Sequence, residues 1–179
     1  MVTKDIPPQL ILPPGKFPVV RNGSIGIVYR ISKEYVAKVL FEGKIFEDVS
    51  KYRLRDNGGA IGELERECEI AANLYDHEIP CPKPLGVERI SLYDSSVSYP
   101  AFIMEYIPHP TGAELGFYEY EIAFRLLKET LGDAVELGFI PGDDWKNPNN
   151  FFYDRGNKKV ILVDFDKWTF EDPYVQEKK

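Results

Sequence analysis

The stretch Val19-Val20-Arg21-Asn22-Gly23-Ser24-Ile25-Gly26-Ile27-Val28-Tyr29-Arg30-Ile31-Ser32-Lys33-Glu34-Tyr35-Val36-Ala37-Lys38-Val39-Leu40-Phe41 decides how the chain is read. Three runs of β-branched and aromatic residues are separated by a glycine turn at 22–26 and a polar turn at 32–34. Short apolar runs bounded by turn residues predict strands, so the stretch reads as an antiparallel meander. The glycine turn lies between two strands. A dinucleotide-binding fingerprint needs a helix after its glycines, so that reading fails on context. Glycines in a strand–strand turn instead let backbone amides approach phosphate oxygens, with Val28 placed to cover a flat apolar base.

Working outward, residues 1–18 carry Pro7, Pro8, Pro13, Pro14 and Pro18 and read as an extended arm. Residues 42–59, with Gly43, Gly58 and Gly59 among mixed charges, read as a loop or mobile flap. A helix is predicted over Ala60 to Asp76, where Leu64, Cys68, Ala71, Leu74 and Tyr75 fall on one stripe. Pro80, Pro82 and Pro84 end it. Strands are expected near Leu85–Leu92 and Ser98–Ile107, around the turn Tyr93-Asp94-Ser95-Ser96. A second helix fits Phe117 to Leu137, with Tyr120, Phe124, Leu127, Leu131 and Val135 recurring at spacings of three and four and Gly138 as its cap. A loop rich in Gly, Asp and Asn follows from Pro141 to Asn150. Then Phe151-Phe152-Tyr153 and Val160-Ile161-Leu162-Val163 flank a turn as a hairpin. The order β-β-β-α-β-β-α-loop-β-β predicts an α+β protein.

Glu67 lies inside the apolar stripe of the first helix, between Ala71 and Leu74 in projection, whereas Glu65, Arg66 and Glu69 point away. A buried carboxylate without a partner costs several kcal/mol. Lys38, flanked by Val36, Ala37, Val39 and Leu40, is its natural counter-ion. The competing reading leaves Lys38 on a solvent face and Glu67 at a stripe edge.

Downstream, the apolar run Val160 to Val163 ends in Asp164-Phe165-Asp166, and a carboxylate leaving a buried strand suits a hard cation. The loop Asp143-Asp144-Trp145-Lys146-Asn147-Pro148-Asn149-Asn150 gathers acids, amides and a lysine. Phosphoryl transfer needs an acid to orient the attacking hydroxyl, oxygen ligands for Mg²⁺ and a cation on the phosphates. The alternative is a run of Asx turns that cap local backbone.

Composition narrows the classes. In 179 residues, 44% hydrophobic and 13% aromatic, there is ample material for a packed core. A net charge of −7 disfavours broad nucleic-acid binding. Cys68 and Cys81 make no metal or disulfide framework, consistent with a reducing compartment. His77 and His109 lack metal-ligand company. No stretch approaches the roughly 20 apolar residues of a membrane span, and the N-terminus lacks a signal-peptide core. A cytoplasmic protein is expected.

Taken together, these pieces resemble the eukaryotic-like protein kinase superfamily in its minimal, atypical branch. The sequence is similar to RIO kinases and the small KEOPS-complex kinase, and more distantly to aminoglycoside and sugar phosphotransferases, over roughly residues 17 to 168. In the nucleotide loop G-x-G-x-x-G-x-V, Arg21 stands at the first glycine position, with Gly23, Gly26 and Val28 matching. Val36-Ala37-Lys38 resembles the strand whose lysine grips the phosphates, and Glu67 its helix partner. Phe102-Ile103-Met104-Glu105-Tyr106-Ile107 resembles the hinge. The catalytic loop H-x-D-x-x-x-x-N finds Asp144 and Asn149 at the right spacing, with Gly142 replacing the histidine and Lys146 where many protein kinases use lysine. Asp164-Phe165-Asp166 resembles D-F-G with Asp166 in place of glycine.

The resemblance implies a bilobal fold: an arm at 1–18, an antiparallel N-lobe sheet with one helix and hinge at 19–107, and a truncated, mainly helical C-lobe at 108–179. It implies ATP and Mg²⁺ as cofactors. Gly23, Ser24, Gly26, Val28, Val36, Lys38, Met104, Glu105 and Ile107 would line the nucleotide, with Met104 as gatekeeper. Lys38 and Glu67 would form the phosphate clamp, Asp144 the base, and Asn149 and Asp164 the metal ligands. Asp143 and Asn150 leave the loop register open by one residue. Only residues 167–179 follow Asp166, which leaves no room for a peptide-substrate platform, so a protein partner or homodimer is expected. An atypical Ser/Thr protein kinase or autokinase is the leading expectation. A pseudokinase, an ATPase subunit and a small-molecule kinase are the alternatives.

Overall fold

The computed structural model describes residues 19–22, 26–42, 53–55, 58–91 and 98–171, with backbone alone at 19–22, 42 and 53. The proline-rich arm, Gly23, Ser24, the turn at 93–96 and most of the expected flap lie outside the described residues. The meander is present as β1 (Val19–Asn22), β2 (Gly26–Arg30) and β3 (Tyr35–Glu42), paired antiparallel in sequence order. A two-residue β4 (Arg53–Leu54) adds to the end of β3, inside the segment expected to be a flap. Then come α1 (Gly58–Asp76), β5 (Pro84–Ser91) and β6 (Ser98–Glu105). The sheet order is β1-β2-β3-β6-β5, with every pairing antiparallel.

Two compact units divide the chain. The first takes the described residues up to Cys68 together with Pro84–Tyr106. Its sheet is covered on one face by a core of Ile27, Tyr29, Ile31, Ala37, Val39, Phe41, Ile90, Ala101 and Ile103. Alternation along a strand sends Val36, Lys38 and Leu40 to the opposite face, and all three are buried there.

The second unit takes Glu69–Lys83 and the residues from Ile107 onward. It holds α2 (Phe117–Glu136) and two ribbons. One ribbon joins β7 (Phe139–Ile140) to β10 (Thr169–Phe170), and the other joins β8 (Phe151–Asp154) to β9 (Lys159–Leu162). Ala123, Leu127, Leu131 and Ala134 form the buried stripe of α2, which ends at Gly138 with φ 93°, a left-handed conformation that glycine adopts without steric cost.

Some boundaries and burials differ from expectation. Helix α1 starts at Gly58, and β6 stops at Glu105. Tyr75 and Val135, expected at the ends of their apolar stripes, are 43% and 52% exposed. Both sit in the last turn of a helix, where packing partners run out. At the end of α1 the Nδ1–H of His77 donates to the carbonyl of Asn73 (2.8 Å), closing the helix as its position suggests. Among the described residues, no helix is long and apolar enough to cross a membrane.

Candidate functional site

In the first unit the central strand carries a cation into the interior. Lys38 Nζ lies 2.8 and 2.9 Å from the two carboxylate oxygens of Glu67, and the side chains are only 7% and 3% exposed. Position 67 faces inward because it shares the buried stripe of Leu64, Cys68 and Ala71, while Glu65, Arg66 and Glu69 are exposed. An ammonium has three N–H donors. Two are directed at one carboxylate, which fixes the direction of the third. The pair also ties the N-terminal half of α1 to the sheet of its own unit, since neither charge tolerates separation at this depth.

Strand register places other expected residues around that ammonium. Val28 is opposite Lys38 on β2, Phe102 is opposite Lys38 on β6, and Met104 is opposite Val36. Directly opposite residues share a sheet face, so Val28, Val36, Lys38 and Met104 line one surface. Val28 and Met104 are half-buried. A Cβ at Gly26 would lie 3.3 Å from Lys38 Cε and 3.2 Å from the Val39 carbonyl oxygen, so glycine leaves the lysine stem its course. Glu105, at the end of β6, is exposed, and the next N–H, of Tyr106, donates to the Glu34 carbonyl (2.7 Å). Ile107 falls in the second unit. Gly23 and Ser24 are outside the described residues.

The second unit assembles acids from two loops. The segment 141–150 is a succession of tight turns, with N–H groups of Trp145, Asn147 and Asn150 donating to carbonyls of Gly142, Asp144 and Asn147. Trp145 stacks on Phe124 of α2 at 6.1 Å and anchors the loop. After β9, Phe165 and Trp168 are buried edge to face at 5.3 Å, while Asp164 and Asp166 are half-buried and Lys167 is exposed. Asp164 has φ 69°, a left-handed conformation uncommon outside glycine and enriched in Asp. Such backbone costs of order 1–3 kcal/mol and is frequent at functional sites.

One oxygen from each of Asp144, Asp164 and Asp166 lies within 4.8 Å of the others. An oxygen-only set suits Mg²⁺, Mn²⁺ or Ca²⁺. The three oxygens lie within 4.8 Å of one another, so the donor set is chemically suited to a hard divalent ion.

Asp166, expected as a mere substitution for glycine, therefore belongs to the cluster. Asn149, expected as a ligand, is exposed, and its N–H donates to Asn147 Oδ1 (3.0 Å). Its neighbour Asn150 is buried and donates through Nδ2 to the Asp144 carbonyl (3.3 Å), so its amide closes the loop. Asp143 points outward with a side chain 89% exposed, against 27% for Asp144.

Lys167 was not anticipated from sequence. Its Nζ lies 3.2 Å from Asp144 Oδ2 and 3.3 Å from Asp143 Oδ1, and these carboxylates hold its pKa above the ordinary lysine value, Asp144 the more strongly. The only signal was a lysine directly after Asp164-Phe165-Asp166. Lys146 sits instead 5.2 Å over the ring of Trp145.

No known protein family and no curated protein matches the sequence. Solved structures do. Rio2 kinase from Chaetomium thermophilum, described as an ADP/Mg²⁺-phosphoaspartate complex, is 17% identical with a TM-score of 0.55, covering 91% of this chain and 50% of that one. The bifunctional kinase-methyltransferase WbdD is 14% identical in two structures, with TM-scores of 0.53 and 0.51, covering 84% and 82% of this chain. The chain spans about a third of WbdD and half of Rio2 kinase. The likeness establishes a protein-kinase-like fold.

Proposed function

We propose that the chain is an ATP- and Mg²⁺-dependent phosphotransferase of the atypical kinase type, acting on a Ser/Thr hydroxyl of a protein or on itself. The observation that carries the reading is the buried, two-pronged Lys38–Glu67 pair on a kinase-like sheet. Ion pairs at this depth are seldom a net gain for stability over apolar residues, so a function for the ammonium accounts for its retention. Lys38 would hold the α- and β-phosphates, and Val28, Val36 and Met104 would line the base. Asp164 and Asp166 would hold Mg²⁺, which when bound neutralises charge on the transferring phosphoryl group. Asp144 would take the proton of the acceptor hydroxyl. The ADP, Mg²⁺ and phosphoaspartate named for the Rio2 structure support nucleotide use and self-modification as the chemistry to test first.

The test is transfer of label from γ-labelled ATP with Mg²⁺, alongside thermal melting with and without Mg·ATP. Asp144→Asn is expected to slow transfer by about 10²–10⁴-fold, the range for a positioned acid or base, while the rise in melting temperature with Mg·ATP persists. Undiminished transfer in that variant removes Asp144 from the mechanism. Absence of any Mg·ATP-dependent rise in the wild-type chain removes the reading altogether.

A further inference from the structure

We infer that Lys167 is the residue that positions Asp144, holding one of its oxygens away from the metal so that the other faces the acceptor hydroxyl. The inference rests on the phosphotransferase reading and deepens it. Asp144 shares a 4.8 Å cluster with Asp164 and Asp166, so on distance alone it would become a third metal ligand. A carboxylate bound to a divalent ion is a poor proton acceptor, because the ion withdraws the charge that attracts the proton. Lys167 competes with the ion for one of the Asp144 oxygens, and a single, solvent-exposed ammonium withdraws less charge than a divalent ion. The Lys167 ammonium is 3.2 Å from Asp144 Oδ2 and is steadied on its other side by Asp143 Oδ1 at 3.3 Å. In the reaction, the acceptor O–H proton passes to Asp144 Oδ1, the acceptor oxygen bonds to the γ-phosphorus, and ADP leaves with the electron pair of the broken P–O bond.

The backbone is built for this contact. A Cβ at Gly142 would stand 2.5 Å from Lys167 Cβ and 3.2 Å from both the Lys167 carbonyl oxygen and Asp144 Oδ1. A side chain at 142 would push the lysine off and crowd the oxygen that receives the proton. Glycine is thus the residue that lets the segment after β9 lie against the loop. The cation inside that loop, Lys146, is directed to the Trp145 ring instead.

Lys167 is exposed, so its substitution leaves the fold intact, and two readouts test its role. In steady-state transfer, Lys167→Met is expected to lower kcat roughly 10²-fold, the scale of a misplaced catalytic group. The KM for ATP should stay within about twofold, and Lys167→Arg should restore most of the rate. In a titration with Mn²⁺ alone, followed by the resonance of the free ion, Lys167→Met should bind about two- to fivefold tighter. That is the size of one exposed ion pair, since the competing ammonium is gone; Lys167→Arg should match wild type. Mn²⁺ affinity unchanged by Lys167→Met overturns the inference, whether or not the chain transfers phosphate. So does a loss of rate in Lys146→Met with Lys167→Met at the wild-type rate. Tighter Mn²⁺ binding by Lys167→Met in a chain that transfers no phosphate upholds the contact and brings down the phosphotransferase reading instead.

Discussion

The first unit buries two opposite charges as an ion pair, whereas the second gathers three carboxylates within 4.8 Å, half-open to solvent. Lys38 and Glu67 offset each other's charge at 2.8 Å, so folding brings them together. Asp144, Asp164 and Asp166 are like charges close together, offset in part by Lys167 beside Asp144, and a bound divalent cation would offset them further. One region is therefore coupled to the fold, and the other would be coupled to a bound cation. The two couplings call for different experiments.

The largest expected effect breaks the matched pair. Glu67→Ala leaves an ammonium buried without its carboxylate and should cost about 3–5 kcal/mol in urea unfolding. The double variant Lys38→Met/Glu67→Leu, with two apolar side chains of similar volume, should recover most of that loss. Were Glu67→Ala to cost less than about 1 kcal/mol, the pair would be behaving as a surface bridge and the contrast with the second unit would collapse.

The next effect is smaller and appears only with metal. Mg²⁺ without nucleotide should stabilise the wild-type chain by up to about 2.7 kcal/mol at a hundredfold excess over its Kd. The shift should vanish in Asp164→Asn and in Asp166→Asn, measured by thermal melting with and without the ion. Loss in the first alone would return Asp166 to the glycine-like role suggested by its place after Phe165.

The two regions were not equally legible in the sequence. The matched pair was readable because both partners violate a local pattern: Lys38 interrupts an apolar strand and Glu67 an apolar stripe, and each violation calls for the other. The acidic cluster was only half readable. Asp144 and Asp164 stand at motif positions, but Asp166 and Lys167 join them through the packing of Phe165, Trp168 and Gly142. That packing is a tertiary event with no local periodicity. The two-residue strands β4, β7 and β10 were missed because two residues carry no alternation to detect. Ala123 and Ala134 were passed over in favour of Val135 because hydropathy favours the larger side chain, while close packing of α2 favours the smaller.

The smallest effect comes from a carboxylate of the second unit that resembles the first unit in its electrostatics. Asp154 is buried at the end of β8 and is satisfied by its own turn. The N–H groups of Gly156 and Asn157 donate to Oδ1 at 2.9 and 3.1 Å, Asn157 Nδ2 donates to Oδ2 at 2.7 Å, and His109 Nε2 lies 3.6 Å away. The Asn157 side chain foremost, then its backbone N–H, holds the Asp154 carboxyl below its ordinary range. A depressed folded-state value means that Asp154 contributes its full stability above the ordinary Asp pKa and loses it as pH falls through the lower, folded value. Asp154→Asn should therefore flatten the acid limb of stability below the ordinary Asp pKa, read from urea midpoints, with no change in Mg²⁺-linked stabilisation. If that variant also abolished the Mg²⁺ effect, the turn and the metal cluster would be one electrostatic system, and the second unit could no longer be divided into a self-satisfied carboxylate and a cation-seeking set.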